Sequence, residues 1–230
     1  LCATQVGAEE IHDAIRARDS NAALALLAKD PLLHASARDK GDSTPLHWAA
    51  LFGMPEVVEA LLENNAVVDS RSSNGSTPLH WAARRNMRKI VAILLKGGAD
   101  IEATTEKGYT PLHWAAIGDG HKAAEVLLEA SAKIDAKATD GSTPLHWAVR
   151  QEAYDTMSVL IMAGADIFAK AGNGATPFYW IQSKTGRQQF EALIEKRRNN
   201  PPSRPKPPGT DAVAGTEKPK PIPKAARRKE

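Results

Sequence analysis

The dipeptide Thr-Pro recurs at residues 44, 77, 110, 143 and 176, a constant step of 33 residues. It opens the heptads TPLHWAA, TPLHWAA, TPLHWAA, TPLHWAV and TPFYWIQ. A period of that length confines the chain to a stack of like units, none of which buries its apolar face alone. Rare residues keep the same beat. All five tryptophans, Trp48, Trp81, Trp114, Trp147 and Trp180, share one phase, and four of the seven histidines, His47, His80, His113 and His146, share another.

Each unit reads as two short antiparallel helices. Thr before Pro marks a helix start, because the missing proline N–H costs nothing at the first helical position and the threonine hydroxyl caps free amides. Leu79, Ala82 and Ala83 give the i, i+3, i+4 face of the first helix. Alanine there lets neighbouring helices come close. A second amphipathic run follows in every unit: Val57, Val58, Leu61, Leu62, then Ile90, Val91, Leu94, Leu95, then Ala123, Ala124, Leu127, Leu128, then Thr156, Met157, Leu160, Ile161. That helix ends at Asn65, Gly98, Ser131 or Gly164, where a left-handed backbone is favoured and Ser131 is the odd residue. Asn74-Gly75, Asp140-Gly141 and Asn173-Gly174 then make tight turns into the next Thr-Pro. In the first unit Gly41-Asp42 shifts the glycine by one place, which predicts a differently shaped tip.

This unit, with TPLHxAA, a paired aliphatic helix, Gly98-Ala99-Asp100 or Gly164-Ala165-Asp166, and an Asn/Asp-Gly turn, resembles the ankyrin repeat. The resemblance covers roughly residues 9–198. It implies an all-α ankyrin-repeat solenoid of stacked helix-turn-helix units joined by β-hairpin-like loops. Repeats are expected at 41–73, 74–106, 107–139 and 140–172, between an N-terminal cap at 9–40 and a C-terminal cap at 173–198. In the first cap Ile11-His12-Asp13-Ala14-Ile15 aligns with Leu46-His47-Trp48-Ala49-Ala50, so Asp13 takes the tryptophan place. In the last, Tyr179 replaces histidine and Ile181-Gln182 replaces the alanine pair. Its second helix, with Phe190, Leu193 and Ile194, finishes in Lys196-Arg197-Arg198, cations suited to a helix C-terminus.

Composition sets the two ends apart. The net charge of +3 conceals a basic tail, since residues 199–230 carry eight Lys/Arg against three Asp/Glu and leave the body slightly acidic. Eight of the fifteen prolines lie there as well. This Pro/Lys-rich segment is expected to be a disordered spacer, able to touch anionic polymers or a membrane weakly. Leu1–Ala8 resembles the end of a secretory signal, with Val6 and Ala8 at the small-residue places before Glu9. Cleavage after Ala8 and export to a periplasmic or extracellular space are expected, with a cytoplasmic protein as the alternative. One cysteine, Cys2, excludes an intrachain disulfide framework.

The in-phase histidines invite a metal reading that repeat geometry opposes. Equivalent residues of stacked helices stand about 10 Å apart, whereas zinc needs its ligand nitrogens about 2 Å from one centre. The resemblance instead implies that each histidine hydrogen-bonds backbone and threonine groups between repeats. Ser, His and Asp recur by unit rather than converging, and the glycines follow the period rather than forming a phosphate loop. Neither catalysis, nor a cofactor, nor a metal is expected. Nucleic acid is a poor partner for a near-neutral body without a binding fingerprint, so specific nucleic-acid recognition is not expected either.

Recognition is expected on the first helices. Trp81 lies about 200° around the helix from Leu79 and so off the buried stripe. The resemblance places this position beside the concave groove, which implies a line of indoles about 10 Å apart. The competing reading is that each indole packs on the next repeat and adds stability only. The residues after each TPLHWA vary: Leu51-Phe52, Arg84-Arg85, Ile117-Gly118 and Arg150-Gln151. Trp48, Phe52, Trp81, Arg84, Arg85, Arg88, Trp114, Ile117, Trp147, Arg150 and Trp180 are therefore the candidate partner-binding residues. They suit a protein or extended peptide with apolar anchors and acidic neighbours, bound by a non-catalytic scaffold. A carbohydrate or cell-wall binder and a self-assembling structural element are the alternatives.

Overall fold

The computed structural model describes residues 3–201, so Leu1, Cys2 and nearly all of the basic tail lie outside the described residues. Four of the five Thr-Pro pairs open an inner α-helix: α4 (Pro45–Phe52), α6 (Pro78–Arg84), α8 (Pro111–Ile117) and α10 (Pro144–Arg150). Each is followed by an outer partner: α5 (Pro55–Glu63), α7 (Arg88–Lys96), α9 (His121–Glu129) and α11 (Tyr154–Ala163). The inner helices share one start. The extended threonine caps the N3 amide, and the N3 histidine reaches back to the threonine N–H. This is a capping box in which imidazole stands where a carboxylate is usual.

Packing follows the expected stripes. Leu79, Ala82 and Ala83 are fully buried, as are Ile90 (nearly so), Val91 and Leu94 of the outer helix behind them, and the pattern repeats in every unit. A single apolar core runs from Ile11 to Phe190. Small residues set how closely units stack: a Cβ at Gly118 or Gly120 would collide with the carbonyl of Arg84 or Ala83, so the turn after α8 lies directly on the end of α6.

Left-handed residues punctuate each unit twice. Asn65, Gly98, Ser131 and Gly164 end the outer helices as expected. A second set, Gly53, Asn86, Asp119 and Glu152, turns each inner helix into its outer partner and was not read from the sequence. Two of these cap the following unit. The Asn86 side-chain oxygen accepts the Ala123 N–H at 3.1 Å, and Asp119 accepts both the N–H and the hydroxyl of Thr156 at 3.0 Å.

The tips are hairpin-like turns, and no strand occurs among the described residues. In the second tip Ser72 N–H donates to Ser76 O and Gly75 N–H to Ser72 O. Successive tips are joined by single backbone bonds, from Ser73 to Gly41, Glu106 to Asn74, Thr139 to Lys107 and Gly172 to Asp140. The first tip is not the exception its glycine suggested. Asp42, at φ 55°, takes the place of Gly75, and the same two bonds form from Asp39 to Ser43 and from Asp42 to Asp39. Aspartate is among the few residues that visit this conformation readily.

The caps depart more. The N-terminal one holds α1 (Ala3–Arg16), α2 (Ser20–Lys29) and a short extra helix α3 (Pro31–Ser36). Helix α1 crosses Ala8–Glu9, the expected cleavage point, without a break. At the other end Thr176-Pro177 opens only a 3₁₀ turn, Pro177–Trp180, where a full helix was expected. Tyr179 has no ring nitrogen to close the capping box, and Ile181 is already extended. The chain restarts in α12 (Lys184–Asn199), capped by the Ser183 hydroxyl on the Gly186 N–H. Arg197 answers another helix's end rather than its own, donating to the Ala165 carbonyl at 2.8 Å.

Ser131, exposed and at φ 70°, holds a conformation that Gly98 and Gly164 adopt without strain. Ser131→Gly is expected to stabilise the fold by about 0.5–1 kcal/mol, measurable as a raised urea midpoint.

Candidate functional site

The inner helices hold their tryptophans half-buried along one side of the stack. Each indole is gripped by the preceding unit. Trp81 meets His47 and Trp48 edge-on with ring centroids 5.3 Å apart, Trp114 meets His80 at 5.5 Å, and Trp180 meets His146 at 5.1 Å and Trp147 at 5.6 Å. The even spacing near 10 Å expected of the ladder is therefore wrong for the pairs Trp48–Trp81 and Trp147–Trp180, whose rings turn toward one another and touch. These indoles pack edge-on in the stack and stay half-buried.

Hydrogen bonds from Nε1 hold three of the five indoles in place. Trp48 Nε1 donates to Asp39 at 2.9 Å, Trp81 Nε1 to the Ser76 hydroxyl at 2.8 Å and Trp147 Nε1 to the Ser142 hydroxyl at 2.9 Å. Trp114 Nε1 is buried and has no acceptor. Its unit carries Tyr109 where the first, second and fourth repeats have Ser43, Ser76 and Ser142.

The candidate residues fall into three groups. Trp48, Trp81, Arg84, Arg85 and Trp114 line one concavity together with Leu51 and Asn74, and Ile117 lines its neighbour beside Trp114. Phe52 stacks on Trp48 at 5.7 Å under the Arg18 guanidinium, while Arg150 lies over Trp147 and Trp180 at 5.3 and 5.6 Å. Arg88 is elsewhere: it opens outer helix α7 and pairs with Glu125 of α9 at 3.0 Å. Sequence reasoning missed Tyr109 and Arg18. The break in the Ser-Thr-Pro pattern at Tyr109 was the available signal.

Behind the indoles runs a relay of histidines. In each repeat Nδ1 accepts the threonine N–H at 3.1 to 3.2 Å, which leaves the proton on Nε2 to be donated to the next unit. The acceptors are the carbonyls of Ser76, Tyr109, Ser142 and Ala175, at 2.9 to 3.2 Å. His12 extends the relay into the N-terminal cap through the Ser43 carbonyl at 3.2 Å, as its alignment with His47 implied. With both ring nitrogens engaged, none of the four repeat imidazoles offers a lone pair to a metal.

The ankyrin-repeat family model, described as ankyrin repeats in three copies, matches residues 11–105 and 98–171. The chain belongs to the ankyrin-repeat family. Ankyrin repeats are generally protein–protein interaction scaffolds, and the family is typically non-enzymatic.

The relay makes the ankyrin stack acid-sensitive. Burial is the main cause that holds His47, His80 and His113 down to about 4, below the ordinary 6.5, and it lowers His146 in the same direction. Stability is complete above the unfolded value, where both states are neutral, and falls as pH drops toward 4, because the unfolded chain takes up protons that the folded one refuses. Each of the three strongly shifted histidines removes about 1.4 kcal/mol per pH unit in that window. Urea midpoints measured across it are expected to fall steeply; a flat profile contradicts the assignment.

Proposed function

We propose that the concave face docks an extended peptide or loop of a partner protein, with apolar side chains against the indoles and acidic residues beside Arg84, Arg85 and Arg150. One observation carries this reading: among the described residues these exposed arginines, unlike Arg88, form no ion pair, although each adjoins the line of tryptophans. Cations left unpaired on a surface lined with large aromatic groups suit an acidic, partly apolar partner. The ring faces are less suited to sugars, since Arg84 covers Trp114, Arg150 covers Trp147 and Trp180, and Arg16 covers Trp48. A non-catalytic scaffold is the role that follows.

Two experiments test it. Charge reversal at exposed positions leaves the core intact, so Arg84→Glu/Arg85→Glu is expected to melt like the parent yet weaken capture of a native partner by about tenfold or more. A partner held equally by both proteins moves the function to the tips or the tail. Export, read from Leu1–Ala8, belongs to the same proposal, and N-terminal sequencing of the native protein is expected to begin at Glu9. An intact leader dismisses it.

A further inference from the structure

Where the third repeat breaks the pattern, an indole donor is left without its acceptor. In the second and fourth repeats the residue before threonine is a serine whose hydroxyl receives the indole N–H of the same unit, at 2.8 Å for Trp81 and 2.9 Å for Trp147. In the third it is Tyr109, and its ring turns away, edge-on to Trp147 at 5.3 Å and tilted on His113 at 5.7 Å. Trp114 Nε1 is thereby buried and unpaired. A buried donor left without a partner is costly, and native proteins seldom keep one.

Beside this N–H stands an unpaired cation. The Arg84 guanidinium lies 5.7 Å from the Trp114 ring centroid and is exposed, and among the described residues it forms no ion pair. Arg85 and Asn74 complete one side, and a concavity of about 260 Å³ opens between Arg84, Tyr109, Trp114 and Ile117. Glu106, at the rim, is the one carboxylate lining it. Gly118 keeps this corner tight, since any side chain there would strike Arg84.

We propose that the Trp114–Arg84 corner is a carboxylate subsite, which takes a Glu or Asp side chain of the docked peptide; this rests on the groove reading above and names its most selective point. A neutral acceptor would satisfy the indole but leave the guanidinium unpaired, whereas a carboxylate oxygen on each donor satisfies both. Binding requires the exposed Arg84 side chain to swing off the Trp114 ring and the indole N–H, buried in the free protein, to be uncovered. The subsite makes the third repeat the register mark of the groove: one acidic residue fixes how the peptide lies along it.

Selection of a random linear-peptide display library on the full chain supplies the probe. Bound peptides are expected to share one acidic position. Changing that residue from Glu to Gln is expected to weaken binding to the parent by about tenfold to a hundredfold, and to cost nothing further on Trp114→Phe, which keeps the ring and loses the N–H. Tyr109→Ser supplies the internal acceptor found in the second and fourth repeats, so it is expected to erase the same preference while the melting temperature holds or rises. The subsite is overturned if Gln is tolerated by the parent, or if the Glu preference persists in Trp114→Phe. Peptides that lack an acidic position yet lose binding to Arg84→Glu/Arg85→Glu overturn the subsite and leave the groove reading standing. No enrichment over that variant overturns both.

Discussion

A neutral imidazole, protonated on Nε2 alone, is the element on which the stack depends. Its Nδ1 lone pair closes the helix start in its own unit, and its Nε2–H reaches the backbone of the next. One side chain therefore ties local structure to the contact between units. Placed inside a dry interface, it satisfies three backbone or hydroxyl groups that would otherwise be buried without partners. The second proton that would make it a cation has no place to go, because the threonine N–H already points at the only free nitrogen. Repetition turns this local fact into a global one: each unit contacts only its neighbours, so register set at one histidine is handed on to the next.

The relay also decides what is left for recognition. Leu, His and the paired small residues (Ala-Ala, or Ala148-Val149) of each inner helix are consumed by packing, while the tryptophan between them stays half-buried. Residues after the motif are free to differ, and they do: Leu51-Phe52, Arg84-Arg85, Ile117-Gly118 and Arg150-Gln151. Interaction scaffolds of this kind carry a common frame and an individual surface. In this chain the individuality concentrates at the third repeat, where Tyr109 and Gly118 both leave the consensus of their neighbours.

Most of the frame was legible in the sequence because it is periodic. Thr-Pro, the aliphatic pairs and the left-handed positions at Asn65, Gly98, Ser131 and Gly164 each announce themselves by recurrence. What escaped was conformational or three-dimensional. Asp42 stands in for glycine because its short polar side chain tolerates the same backbone, so the shifted Gly41 misled. The last Thr-Pro fails to make an α-helix because Tyr179 cannot cap it. Arg88 sits close in sequence to Arg84 and Arg85, yet the turn at Asn86 carries it to the outer layer. The missing acceptor of Trp114 is visible only once the neighbouring indoles show where serine hydroxyls belong.

Nitrogen NMR of the imidazole side chains is the most direct measurement of the central interaction. The account predicts that His47, His80, His113 and His146 each show the neutral form with the proton on Nε2 at neutral pH, that the first three are unchanged as pH falls through the ordinary histidine range of about 6.5, and that His146 titrates below that value. Imidazoles that titrate normally in the folded protein, or that carry their proton on Nδ1, would contradict it.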